Sequence, residues 1–429
     1  MATGTTLSNV FPLGSRLNER GRLEVGGCDT IELAREFGTP AYVVAEDDLR
    51  SRARAFAQAG ADAGHPDFHV LFASKAFPCT AVLTLFAQEG LWCDVASGGE
   101  LHLALQAGFS SEHIVLHGNA KSEAELRMAL DRRVGLIVVD NFDEIERLER
   151  LMAERERAGS RVPQQVLIRV TPDVRGETHE KISTGQADSK FGFSIARAAE
   201  AIARVQGVAG LSLQGLHAHI GSQLLELEPF RSAAAEVARL GDFPVCDLGG
   251  GLGVQYTSTQ PAPPSVEDYV AAIVQAAHAH GIGPDRRLLI EPGRALSANA
   301  CVTLYTVESV KHNVSRWVAV DGGMSDNLRP MLYGAVYEAY VADRFGGETR
   351  CVLTGKHCES GDVIVADALL DDPRPGDVIV TPATGAYGHA LASNYNGVPR
   401  PPVIFCRDGD ARVVLRRESF EDLTARDAD

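Results

Sequence analysis

Phe68-His-Val-Leu-Phe-Ala-Ser-Lys75 is a mostly apolar run that ends abruptly in a serine and a lysine. Continuous rather than alternating apolar character predicts a strand covered on both faces, as in a parallel sheet. Pro78 and the helical stretch from Thr80 to Gly90 follow. The lysine amine therefore projects from the strand's C-terminal end, where it can hold an aldehyde as a Schiff base. Seven more runs repeat the pattern: Leu91 to Ser97, Ile114 to Asn119, Gly135 to Asn141, Gln165 to Pro172, Leu213 to Gly221, Val245 to Gly251 and Arg287 to Arg294. Segments with apolar residues three or four apart lie between them, including Gly99 to Gly108, Lys121 to Arg133, Phe142 to Gly159, Ser194 to Gly207 and Ser265 to Gly281. Eight strands alternating with helices over roughly 230 residues predict a (β/α)8 barrel of the TIM type, near the usual ~250 residues.

The C-terminal ends of those strands carry Lys75, Asp94, His117 with Asn119, Asp140, Arg169, His219, the triplet Gly249-Gly250-Gly251, and Glu291 with Arg294. Apolar layers fill a barrel's interior, so ionisable residues gathered at one rim point to a site. The connection from Asp173 to Phe193 is longer than a usual barrel loop and is expected to form a rim lid or wall, with Lys190 contributing a further polar group.

At 429 residues the chain exceeds one barrel, so a second domain is expected. The net charge of −16, from 41 basic and 57 acidic side chains, disfavours nucleic acid and anionic membranes as partners. No run of about 18 apolar residues is present. The start MATGTTLSNV has neither a basic nor an apolar signal, so a cytoplasmic location is expected. The eight cysteines form no CxxC pair and no zinc-like spacing, so no metal site is expected, and Cys93, Cys246 and Cys351 read as small core residues.

From Cys301 onward short β-rich runs replace helical periodicity: Val302 to Val310, Trp317 to Val320, Cys351 to Thr354, Asp362 to Val365, Val378 to Thr381, Val403 to Cys406 and Val413 to Leu415. Arg407-Asp-Gly-Asp410 reads as a hairpin turn. The predicted division is residues 1–40 as strands joining a β domain, 41–297 as the barrel, and 298–429 as the β domain. Three glycine-flanked polar clusters stand out in the last part: Gly355-Lys-His-Cys-Glu-Ser-Gly-Asp362, the stretch from Asp321 to Gly334, and Thr384-Gly-Ala-Tyr-Gly388. Glycines allow tight turns and close approach to a ligand, although each cluster alone would be an ordinary loop.

In this order, FASKAF, DVASGGEL, HAHIGSQ, DLGGGLG, EPGR, SDNLRPMLYGA, HCESGD and TGAYG span nearly the whole chain. Together they resemble the motifs of the fold-type III pyridoxal-phosphate decarboxylases. The GGGLG segment lacks the spacing and the ribose-binding acid of a dinucleotide site. The resemblance implies pyridoxal 5'-phosphate as cofactor, and a homodimer whose sites lie between one subunit's barrel and the partner's β domain. It implies that Lys75 holds the cofactor covalently, that Glu291 faces the pyridine nitrogen, and that His219 stacks on the ring. Gly249, Gly250, Gly251, Ser222, Gly293 and Arg294 would lie near the phosphate, and Asp94 and Tyr387 would also contact the cofactor. On the substrate side it implies Arg294, Arg329, Tyr333 and Tyr387, with Glu359 at the distal ammonium group and Cys358 as proton donor. Lys356-His357 stands where the family often has Pro-Leu, and Ser297-Ala-Asn-Ala300 where a glycine-proline turn is frequent.

The reaction implied is decarboxylation of meso-diaminopimelate to L-lysine and carbon dioxide. The alternatives are decarboxylation of ornithine, lysine, arginine or carboxynorspermidine, or a non-catalytic cofactor-binding homologue. A racemase of related architecture would use a tyrosine as second base where this chain offers Cys358. Only a substrate with a distal carboxylate requires a second arginine.

Overall fold

In the computed structural model, residues 7–172, 174 and 189–428 are described. The chain divides into two compact units. One comprises Arg52–Gly253 and Pro263–Gly293, the other Met1–Ser51, Val254–Ala262 and Arg294–Asp429.

The first unit is a closed parallel barrel of eight strands: Phe68–Ala73, Trp92–Val95, Ile114–Leu116, Leu136–Val139, Gln164–Thr171, Leu211–His217, Val245–Asp247 and Arg287–Ile290. The last pairs with the first through Leu288↔Phe68 and Ile290↔Val70, which closes the ring. Leu71, Trp92, Val115, Leu136, Val138, Leu167, Val245 and Leu289 form a buried cluster drawn from these strands. Each such apolar side chain contributes roughly 1.5–3 kcal/mol relative to exposure. Most of the expected helices form, with ends shifted by a residue or two, and Glu228–Ala238 is a further one. Several begin on a side-chain cap just past a strand: Ser97 accepts from the Glu100 N–H, Asn141 from Glu144, and Ser122 closes a reciprocal box with Glu125. These caps stop the chain abruptly, which keeps the rim loops short. Most of the expected lid lies outside the described residues. Lys190 is described and stands over the Phe191 ring at 4.8 Å.

One rim lysine is structural. Lys121 Nζ donates to the carbonyls of Gly118 (2.6 Å) and Val138 (2.8 Å) and lies 2.8 Å from Glu144 Oε1, with both side chains buried. Burial pushes the Glu144 carboxyl up, against the pull of Lys121. Replacing Lys121 with methionine strands that acid, and is expected to cost ~3–5 kcal/mol in chemical denaturation. A change near zero would show that the pair carries no net stability.

The second unit is mainly β. Its large sheet runs in the order Val363–Leu370, Thr349–Thr354, Arg316–Val320, Cys301–His312, Ala41–Ala45, Val403–Arg407, Asp410–Leu415, with Val378–Pro382 also pairing Cys301–His312. The hairpin reverses at Asp408 (φ 53°) and Gly409 (φ 85°), between the paired residues Arg407 and Asp410. Two boundaries differ from the sequence reading. Ala41–Ala45 belongs to this sheet and not to the barrel, because it pairs antiparallel with Cys301–His312 and parallel with Val403–Arg407. Its five residues are all buried, a pattern that a barrel strand shares. The barrel unit ends at Gly293, so Arg294 opens a segment of the β unit. The N-terminal strands Arg16–Leu17, Leu23–Val25 and Cys28–Asp29 form a three-stranded sheet of their own. Val10, Leu23 and Val25 share one core with Val302, Val380 and Ile404.

Candidate active site

Glu291 follows the eighth barrel strand and is buried. His117 Nε2, past the third strand, lies 2.7 Å from Glu291 Oε1. His217 Nε2, at the end of the sixth, lies 3.3 Å from Oε2. Burial alone would push the Glu291 carboxyl up, but the two imidazoles outweigh it and hold the group well below the usual carboxylate range. Burial brings His217 down to about 4, so its ring is neutral at pH 7 and donates from Nε2. Asp247 is pushed well above its ordinary range by burial and by the charge of Glu291. Asp94, 3.6 Å from His117, is raised to about 6 by burial. The result is an ionised Glu291 carboxylate beside a neutral His217 ring. The ligand atoms of His117, His217, Asp247 and Glu291 lie within 4.8 Å of one another, a spacing that would also admit a cation and that sequence reasoning did not anticipate.

His219 lies two residues past the sixth strand. Its Nδ1 accepts the Gly250 N–H at 3.1 Å, which leaves the ring's proton on Nε2. Burial, with Lys75 and Arg169 nearby, depresses this imidazole well below 6.5, so the ring is neutral. The Gly249 N–H goes to Asp247 Oδ1 at 2.9 Å. Two of the three glycine N–H groups expected near a phosphate are therefore spent orienting His219 and Asp247. Gly250 is required for a different reason: a Cβ there would lie 2.1 Å from the Glu291 carbonyl oxygen. Lys75 occupies a 3-10 turn, Ser74–Ala76, directly after the first strand, and its side chain is exposed. Gly293 packs against this turn, since a Cβ would stand 3.0 Å from those of Ala73 and Ala76. Ser222 is half-buried beyond His219. Among the other rim residues, the Asn119 carbonyl accepts from the Asn141 amide at 2.9 Å, a structural use. Arg169 is buried with its guanidinium 4.3 Å from the Phe191 ring centre, and Asp140 is buried nearby in charge terms.

The β unit carries two polar clusters of its own. Arg294 and Arg329, each 5% exposed, donate to the phenol oxygens of Tyr256 and Tyr337 respectively. Arg294 also stands over the Tyr387 ring at 4.9 Å. Tyr387 holds the left-handed conformation (φ 64°), uncommon for a bulky residue and characteristic of sites. Tyr333 ends the short helix begun by Arg329 and is half-buried. In the second cluster Asp362 organises the loop. Its Oδ2 accepts the His357 N–H (2.9 Å) and meets His357 Nδ1 (2.8 Å), while Oδ1 accepts from Met324 (2.7 Å). His357 stacks on Tyr395 at 5.7 Å, which gives this histidine a packing role. The anchored loop presents Cys358, exposed, with its N–H bonded to Asn396 Oδ1 at 3.0 Å, and beside it the exposed Glu359.

The family model for the pyridoxal-dependent decarboxylase, pyridoxal binding domain, matches residues 46–298. The chain is 46% identical to diaminopimelate decarboxylase of Actinosynnema pretiosum subsp. auranticum, covering 98% of this chain and 95% of that one. It is 44% identical to that of Bacillus subtilis strain 168, covering 96% and 97%. This chain belongs to the diaminopimelate decarboxylase family. Among solved structures, diaminopimelate decarboxylase from M. jannaschii in complex with L-lysine superposes with a TM-score of 0.90 at 31% identity, covering 98% of this chain and 99% of that one.

The barrel residues fit the cofactor of the pyridoxal-dependent decarboxylases. An exposed amine at Lys75 suits its aldehyde, a buried ionised Glu291 suits a protonated pyridine nitrogen, and the neutral face of His219 suits a flat aromatic ring. Sequence reasoning missed His217, Asp247, Tyr256, Tyr337 and Asn396. His217 and Asp247 lie inside the quoted motifs HAHIGSQ and DLGGGLG and carried a signal that was not used. Tyr256 sits in a loop and Asn396 in a three-residue 3-10 turn, neither with a sequence pattern.

Proposed function

We infer that this chain is a pyridoxal-phosphate-dependent carboxy-lyase that converts meso-diaminopimelate to L-lysine and carbon dioxide. The observation that carries this reading is full-length similarity to diaminopimelate decarboxylases, joined to an amine, an ionised carboxylate and a neutral imidazole in one barrel. The bound cofactor supplies an electron sink for the pair left when the carboxylate departs. Lys75 would hold it through its side-chain amine. The ionised Glu291 carboxylate would favour a protonated pyridine nitrogen by opposing its charge. His219, fixed by Gly250, covers one face of the ring. The phosphate falls to Ser222, Gly251 and Gly293, since the N–H groups of Gly249 and Gly250 are already engaged.

Arg294 and Arg329 bind the carboxylate that is not lost, with Tyr333 and Tyr387 beside them, and Glu359 takes the distal ammonium group. Cys358 delivers a proton to the carbon that has lost its carboxylate. Alanine at Cys358 is expected to lower kcat roughly hundred-fold with KM nearly unchanged, a usual size for a lost acid. An unchanged kcat would assign the proton to another group. The sites are shared in a homodimer, each taking Cys358 and Glu359 from the partner's β unit, in keeping with the exposure of both side chains. Mixing inactive Lys75→Ala and Cys358→Ala proteins should then restore about a quarter of wild-type activity, because random exchange yields one intact site in half the dimers. Among the described residues no helix is long and apolar enough to cross a membrane. Carbon dioxide release from meso-diaminopimelate beside L-lysine, L-ornithine, L-arginine and carboxynorspermidine tests the substrate. Release from a monocarboxylate alone would move the chain to another branch.

A further inference from the structure

Arg329 is buried and donates to a phenol, and among the described residues it makes no ion pair with a carboxylate. A buried guanidinium without an anion is costly, so the site is built for an anion that comes from outside the protein. What holds this cation in place is aromatic. The Arg329 guanidinium lies 4.6 Å from the Tyr256 ring centre and 5.5 Å from that of Tyr337, and the Arg294 guanidinium lies 5.7 Å from Tyr256. Tyr256 and Tyr337 meet edge to face at 5.2 Å and 76°. Tyr256 therefore touches both cations, accepting a hydrogen bond from Arg294 while its ring supports Arg329.

We propose that Tyr256 is a positioning residue for substrate specificity: held by Arg294, its ring fixes the Arg329 guanidinium so that Arg329 meets a substrate carboxylate remote from the one that is lost. A guanidinium has five N–H donors in a rigid fork, so the bond from Arg329 to the Tyr337 phenol fixes its plane while other donors can face a carboxylate. Burial pushes the Tyr256 phenol up, but the two guanidiniums beside it outweigh this and lower it, in keeping with their close approach to the ring and its oxygen. The proposal rests on the decarboxylase reading and names the feature of the substrate that this cluster selects.

The test is Tyr256→Phe in the cofactor-loaded enzyme, a change that keeps the ring and removes the oxygen. KM for meso-diaminopimelate should rise about ten-fold, equivalent to ~1.4 kcal/mol, with kcat within about three-fold. Competitive inhibition separates positioning from general damage. L-Lysine, which keeps one carboxylate, should inhibit the variant about ten-fold more weakly, whereas cadaverine, which has none, should inhibit it as it does the wild type. Unchanged KM and lysine inhibition would overturn the proposal, as would equal weakening toward lysine and cadaverine. Tyr337→Phe, which leaves Tyr256 between the arginines, should give a smaller rise in KM, and a larger one would shift the role to Tyr337. Wild-type enzyme inert toward meso-diaminopimelate would instead overturn the decarboxylase reading itself.

Discussion

Alanine in place of Lys75 is expected to lower carbon dioxide release from meso-diaminopimelate by on the order of a thousand-fold or more, the largest effect of any single change. Lys75 is exposed on a three-residue turn at the strand end, so truncating it removes no core packing. Folding should be unaffected, with the same melting temperature for variant and wild type in the absence of cofactor. The lost function is covalent attachment. Borohydride should fix cofactor to the wild-type protein at the peptide containing Lys75 and to no peptide of the variant. Activity within ten-fold of wild type would place the covalent link on another lysine. Lys121 is already committed to two carbonyls and Glu144.

Glutamine at Glu291 should give the second-largest effect, with a different signature. An amide keeps the size of the side chain and much of its hydrogen bonding but removes the charge that two imidazoles stabilise. Loss of one preorganised electrostatic partner usually costs about a hundred- to a thousand-fold in kcat. Cofactor should still bind, because Lys75 and His219 are untouched, and KM should move little. A fall in KM-corrected activity caused only by cofactor loss would contradict the role at the pyridine nitrogen. The sign of the pH dependence follows from the surroundings. His217, lowered to about 4, is neutral from pH 6 upward, while Asp94, raised to about 6, gains a proton as the pH falls from 7 to 5. Of these two groups neither changes charge much above neutrality, and activity should decline on the acid side first as Asp94 takes up its proton. A profile flat down to pH 5 would separate Asp94 from the reaction.

The barrel was legible because its strands are covered on both faces. Phe68–Ala73 and Leu136–Val139 are nearly continuous apolar runs, and the helices between them keep their three-and-four spacing. Ala41–Ala45 reads the same way, and its place in the β unit is set by a partner strand more than two hundred residues away, which no local pattern reveals. The candidate site divides along similar lines. Lys75, Glu291 and His219 end barrel strands or follow them directly, where polarity interrupts an apolar run. Gly249 and Gly250 sit in an obvious glycine cluster, but whether their N–H groups face a ligand or the protein depends on the side chains of Asp247 and His219. Tyr256 and Tyr337 earn their place only by meeting two arginines in space.

The most direct measurement is the product balance from meso-diaminopimelate with purified protein and added pyridoxal phosphate. One L-lysine per carbon dioxide, with none formed by Lys75→Ala, is the expected result. Carbon dioxide without lysine, or neither product at any pH between 6 and 9 while cofactor is bound to Lys75, would contradict the reading of this chain as a diaminopimelate decarboxylase.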